Sequence, residues 1–250
     1  MPMPPISPVL SHRLVGSMLG LAVGDALGAP HEGGMLERWL WHCLGRTRTG
    51  HMRYTDDTQM CRDLTEALLH HHGFIADAVA HRFAHSYRWS RGYGPGAAQV
   101  LKRIRRGQPW QQARLQVLPN GSWGNGGAMR APVAAWWTAA DGAAATAALA
   151  RAQAAITHAH ALALDGAALI AVAVHLALRA DLATWNPVQW LVQVAQHADL
   201  QAADAWHARL TQSMAWLQAP ESTAPCAQEV AQQLGNGIAA VDSCVTALYI

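Results

Sequence analysis

The sequence predicts an all-α, single-domain protein. No run of β-branched residues alternates with polar ones over a strand's length, apolar residues instead recur at helical spacing, and the connections between such segments are short. At 250 residues the chain is long enough for a core without disulfide staples, and 51% hydrophobic against 14% charged residues suits a well-buried globule.

The first stretch, Met1 to Pro8, is proline-rich, and residues 1–9 are expected to be a flexible lead into a domain over 10–250. It carries no cationic start, and the apolar run Leu14 to Val23 is too short and glycine-rich for a signal peptide or a span. Gly16, Gly20, Gly24 and Gly28 then fall four apart in a helical segment. Each glycine costs about 1 kcal/mol against alanine there, so the stripe predicts a central helix packed closely on another backbone. Pro30 stops it, and Glu32 follows in a loop.

An aromatic and basic stretch, Met35 to Arg53, leads into Tyr54-Thr55-Asp56-Asp57-Thr58-Gln59-Met60. Met60, Leu64, Ala67 and Leu68 have helical spacing, which places Thr55 and the aspartates in a first helical turn. A carboxylate there caps free N–H groups, and that accounts for one acid. Two adjacent acids beside a hydroxyl also suit a hard cation, which takes oxygen ligands. Further helices are predicted near 58–71, 75–88, 95–106, 109–116, 126–139, 142–157, 161–179, 186–197, 202–217, 225–233 and 237–250.

The remaining clusters exclude several function classes. His70-His71-His72 points around a helix and His158 and His160 are two apart, so neither makes a helical metal face, and there is no His-Glu-x-x-His zinc motif. No nucleophile elbow or phosphate loop occurs. Net charge is +2, and the densest basic spot, Lys102 to Arg106, reads as a solvated helix end, so no nucleic-acid footprint is present. Cys43, Cys61, Cys226 and Cys244 form no paired framework, which suits reduced thiols and a cytoplasmic setting without membrane attachment. One loop, Asn120-Gly121-Ser122-Trp123-Gly124-Asn125-Gly126-Gly127, reads either as a flexible turn or as a cradle of backbone N–H groups for phosphate.

Taken in order, Gly24-Asp25-Ala26-Leu27-Gly28-Ala29-Pro30-His31-Glu32, Tyr54-Thr55-Asp56-Asp57-Thr58, Gly124-Asn125-Gly126-Gly127-Ala128-Met129-Arg130, Thr157-His158, and Gly235-Asn236-Gly237 with Ala247-Leu248-Tyr249 resemble the ADP-ribosylglycohydrolases over nearly the whole chain. The resemblance implies an orthogonal multi-helix bundle with two Mg2+ or Mn2+ ions in a central cleft. It implies hydrolysis of the bond joining ADP-ribose to a protein side chain, with the ADP-ribosylated protein or ADP-ribose as partner; separately, a monomer is the expected working form. Thr55, Asp56 and Asp57 would be metal ligands, and the two aspartates would be catalytic together with Glu32, which would lie on a mobile loop beside the metals and gate the site or contact substrate. Gly121, Ser122, Trp123, Gly124 and Asn125 would line the pocket, Trp123 stacking on the ligand, and His158 would approach phosphates or ribose. The family's second acidic motif, Gly-Gly-Asp-x-Asp-Thr, lies beyond the Ala-Leu-Tyr segment, whereas this sequence stops at Tyr249-Ile250 and has no Asp-x-Asp. The expectation is therefore a missing C-terminal part, with weakened metal binding and an ADP-ribose-binding relative of impaired activity as the alternative to the enzyme.

Overall fold

The computed structural model describes residues 7–250, and the expectations for residues 1–6 lie outside the described residues. Ser7 already belongs to structure: its side chain caps α1 (Pro8–Gly28) by accepting from Leu10 N, so the proline-rich lead gives way to helix at Pro8 rather than after residue 9. Proline at the first turn costs nothing because its missing N–H has no intrahelical partner there, and the helices that start at Pro95, Pro132 and Pro187 begin the same way.

Two apolar cores, joined by a third of alanine alone, organise the helices. The first gathers α3 (Asp56–His71), α4 (Ala76–Ser86), α5 (Pro95–Arg105) and α6 (Trp110–Val117) around Met60, Leu64, Leu68, Phe83, Leu101 and Ile104, all fully or almost fully buried. Each such side chain contributes roughly 1.5–3 kcal/mol on leaving water. The second gathers α9 (Ala161–Ala177), α10 (Pro187–Ala198), α11 (Ala203–Gln218), α12 (Ala227–Gln233) and α13 (Cys244–Tyr249) around Leu169, Val172, Leu191, Trp206, Leu234 and Val245. Between them, α7 (Pro132–Trp137), α8 (Ala143–Ala154) and α9 meet through Ala131, Ala134, Ala150, Ala154, Ala167 and Ala171. Methyl-sized side chains let these helix axes approach closely, and this seam fixes the second core against the first.

Among the described residues there is no strand, only isolated bridges at Arg46–Met52 and Gly124–Ala239, in agreement with the all-α expectation. No described helix is long and apolar enough to cross a membrane. All four cysteines are free, Cys43 and Cys226 exposed, Cys61 and Cys244 buried.

Three expectations are corrected. The segment 126–139 is not one helix: Asn125–Gly127 forms a 3-10 turn, and α7 starts afresh at Pro132. Likewise 237–250 divides into a 3-10 turn at Ala240–Asp242 and α13. Third, the glycine stripe does not pack on a backbone. A methyl built at Gly16, Gly20 or Gly24 would meet nothing within 4 Å, and Asp25 is the buried residue of α1. Val15, Leu19, Val23 and Leu27 are more than half exposed, as are Met35, Leu36 and Trp39 on α2 (Met35–Leu44), a helix the periodicity did not reveal.

Candidate active site

The site is assembled at the N-terminus of α3, and α1 holds it there. The carboxylate of Asp25 accepts from Thr55 N at 2.9 and 3.0 Å, from Thr58 N at 3.0 Å and from Thr58 Oγ1 at 2.5 Å. An acid from a distant helix thus satisfies N–H groups that the start of α3 leaves open, where the helix dipole also favours negative charge. Thr55 caps the same turn by accepting from Asp57 N at 3.2 Å. Arg91 covers the approach, its guanidinium 3.7 Å from the Tyr54 ring centroid and its Nη1 donating to Tyr54 O at 2.6 Å. With cap and anchor supplied by Thr55 and Asp25, the side chains of Asp56 and Asp57 are left free for other work.

Their surroundings hold them in an unfavourable state when charged. Thr55 is 3% and Asp56 8% exposed, and Asp57 is half-buried. Burial pushes the Asp56 carboxyl up to about 7, a hydrogen bond from its own backbone N–H opposes this, and the charges of Asp25 and Glu32 add to the rise. Asp57 is raised well above the usual carboxylate range by burial first, then by Asp56, Asp25 and Glu32. Glu32, exposed on the loop after the 3-10 turn Ala29–His31, is also raised, by desolvation and then by Asp25. Four carboxyl groups therefore press on one another.

The glycine-rich loop is pinned in place rather than flexible. Gly121 has φ of 78°, and a methyl there would stand 2.6 Å from His160 N. Trp123 O accepts from Ala240 N at 2.9 Å, and Asn125 N donates to Ile238 O at the same distance, while Asn125 Nδ2 reaches Ser243 Oγ at 3.2 Å. Within the loop, Gly124 N donates to Ser122 Oγ at 3.3 Å. Trp123 is left 62% exposed, edge-on to His160 with ring centroids 5.9 Å apart. His158 is 4% exposed and lies against the loop, so that a methyl at Gly126 would come 2.9 Å from its Cε1.

Arg130 joins loop and acids. Fully buried, it donates to Gly126 O, Gln153 Oε1, Gln153 O and Thr157 Oγ1. Its charge lowers the Asp56 pKa, and its own is pushed down to about 10, chiefly by burial. The Cys61 thiol reaches Met129 O at 3.6 Å, which sets this segment beside the second turn of α3.

The family model of the ADP-ribosylglycohydrolases matches residues 7–250. The chain belongs to that family. It is 34% identical over 266 residues to the ADP-ribosylhydrolase ARH3 of Homo sapiens, covering 95% of this chain and 72% of that protein. The Bos taurus ARH3 is 36% identical over the same shares. The uncharacterised protein YegU of Escherichia coli is 27% identical, over 96% of this chain and 77% of its own. A solved structure described as an ADP-ribosylglycohydrolase-related protein complex superposes with a TM-score of 0.62 at 25% identity, covering 97% of this chain and 76% of that one.

For an ADP-ribosylglycohydrolase, the donor set around α3 bears on the expected cation. No three His, Cys, Asp or Glu side chains among the described residues converge into a chelating group. What is present is an adjacent pair of raised carboxyls beside a threonine hydroxyl, and this fits a cation such as Mg2+, which takes one or two carboxylates and fills its sphere with water and substrate oxygens. A concavity of about 480 Å3 at the other end of α3, lined by His70, His71, His81, Arg82 and His85, is the wrong place for this chemistry, since those side chains are exposed and the buried acid beside them, Asp63, is already held by Arg82 and Gln59.

Thr55, Asp56, Asp57 and Glu32 are thus gathered at one helix end, and Gly121 to Asn125 with His158 form a second group, linked to the first through Arg130. Sequence reasoning gave no role to Asp25, Arg91 or Arg130. For Asp25 a signal did exist, a lone acid in a helix with no other charge between Leu14 and Gly28. Arg130 and Arg91 gave none, because Gln153, Thr157 and Tyr54, the partners that fix them, lie 23, 27 and 37 residues away along the chain.

Proposed function

We propose that this chain hydrolyses the glycosidic bond between ADP-ribose and a modified protein side chain, at the ribose anomeric carbon, with the help of Mg2+ or Mn2+. The observation that carries this reading is the mutually repelling set of buried Asp25 and Asp56, half-buried Asp57 and exposed Glu32 at the start of α3, in a chain whose relatives are named ADP-ribosylhydrolases. Such a cluster is costly unless it has a cation to bind.

Thr55, Asp56 and Asp57 would hold the ion, which when bound would supply Lewis-acid polarisation of ribose oxygens and make water more acidic. An oxygen from water joins the anomeric carbon as the bond to the side chain breaks, through an oxocarbenium-like state that nearby carboxylates stabilise. A carboxylate oxygen of Asp56 or Asp57 that the ion leaves free accepts the proton of the attacking water. Glu32, raised and at the rim, delivers a proton to the departing side-chain atom. Trp123 offers an exposed ring for stacking, worth about 1–3 kcal/mol per base in comparable settings.

The test is release of ADP-ribose from arginine- and serine-modified proteins with Mg2+ or Mn2+ and with a chelator. Turnover abolished by the chelator and by Asp56→Asn is expected; turnover untouched by both would sink the reading. Among the described residues no third His, Cys, Asp or Glu joins a chelating group, and this supports a second reading, binding of ADP-ribose without hydrolysis. A calorimetric signal for ADP-ribose together with no turnover at any metal concentration would select it.

A further inference from the structure

His158 has two ring nitrogens in unlike settings. Nδ1 lies 2.7 Å from Thr157 Oγ1. Nε2 has no hydrogen-bond partner among the described residues, yet it is not sealed, because the sealed side-chain atoms without a partner belong to Tyr93, Arg114, Arg151, Trp190 and Trp206. Nε2 would stand 3.2 Å from a methyl at Gly126 and 3.5 Å from one at Gly124, so the bare backbone of the loop is what leaves this edge of the ring open.

Which nitrogen carries the proton follows from the donors around Thr157. Arg130 Nη2 donates to Thr157 Oγ1 at 2.9 Å, and a guanidinium cannot accept. The hydroxyl of Thr157 must then send its own proton elsewhere, and His158 Nδ1 is the acceptor in reach. The opposite arrangement, with Nδ1–H donating to Thr157, would leave a hydroxyl proton without an acceptor in a residue 3% exposed, which burial penalises. Arg130 is itself fixed by Gln153 Oε1 at 2.6 Å and Gly126 O at 2.7 Å, so the chain has one direction from end to end.

We propose that Arg130 and Thr157 are positioning residues that lock His158 as the neutral Nε2–H tautomer, a dedicated hydrogen-bond donor at the glycine-rich loop for a phosphate or ribose oxygen. The ligand class rests on the proposed function; the tautomer does not. Burial and then the Arg130 charge hold His158 down near 3, so the ring remains neutral at physiological pH. A neutral donor that cannot turn into an acceptor favours oxygen-rich ligands and disfavours groups that must donate at this point.

The experiment is long-range proton–nitrogen correlation NMR on the full chain with 15N-labelled histidine, His158 being assigned with His158→Gln. A protonated Nε2 and a bare Nδ1 in the parent are expected, kept in Thr157→Ser and lost to a tautomer mixture in Thr157→Val. A parent ring protonated at Nδ1, or a Thr157→Val ring unchanged from the parent, overturns the proposal. In calorimetry with ADP-ribose and with ADP, Thr157→Val is expected to bind about tenfold more weakly than Thr157→Ser. A loss with ADP-ribose alone assigns the acceptor to the terminal ribose, and a loss with both assigns it to the phosphates. Equal affinity of the two variants overturns the donor role. A parent that binds neither ligand while showing the expected tautomer refutes the ligand reading and leaves the lock standing.

Discussion

Asp25 shows how much one side chain can organise. It ties α1 to the first turn of α3 through four hydrogen-bond contacts, and it also repels the acids it positions. The two effects separate with pH. Asp25→Asn presents an amide to N–H donors and loses charge-assisted bonds, a cost of about 2 kcal/mol. At pH 5, where Asp56 is protonated, that cost is met in full. At pH 8, relief of the Asp25 repulsion on Asp56 offsets part of it, so urea melts should show the larger loss at the lower pH. An equal loss at both would mean that the repulsion is negligible.

At the scale of elements, α1 and the glycine-rich loop invert what their compositions suggest. The glycines of α1 look like a close-packing seam, yet its apolar side chains lie on open surface. Leu19 is 62% exposed, so Leu19→Lys should change stability by less than about 0.5 kcal/mol, against several kcal/mol for a buried leucine. A large loss in chemical denaturation would contradict this placement of α1. The loop, by contrast, looks mobile and is clamped by the Ile238–Ser243 segment. Gly121→Ala combines a left-handed φ with a collision against His160 N, and should cost roughly 2–4 kcal/mol while weakening ADP-ribose binding. Thermal melts and calorimetry of this variant read both effects.

Over the whole molecule, the acids and the histidines pull stability in opposite directions with pH. Asp56, raised to about 7 from an unfolded value near 4, keeps a proton in the folded state that the unfolded chain has lost, so its contribution fades as pH rises across that window. His158 near 3 and His175 near 4 have depressed values, so their contribution is present above about 6.5 and is lost as pH falls. The terms partly cancel between pH 4 and 6.5, and a comparison with Asp56→Asn isolates the acid. Without metal, that variant should gain stability over the parent steadily from pH 4 to 7. Mg2+ or Mn2+ should raise the melting temperature of the parent more at pH 8 than at pH 5.5, since protons compete for the same oxygens. A melting temperature indifferent to both ions at pH 8 would remove the cation from the site.

The amino-acid order by itself determined the helical class, most helix positions, the start of α3 and the family, because local spacing and short motifs act within a few residues, whereas the cap expected of an aspartate falls to Thr55. It also brought Asp56, Asp57 and His158 into view as chemistry. Only the tertiary structure decided that Asp25 anchors α3, that Arg130 is buried between loop and acids, that α2 is a helix and that the glycines of α1 face outward. Those outcomes depend on contacts between residues tens of positions apart, and on which surfaces lose water when helices meet, and neither is encoded in the periodicity of any single segment.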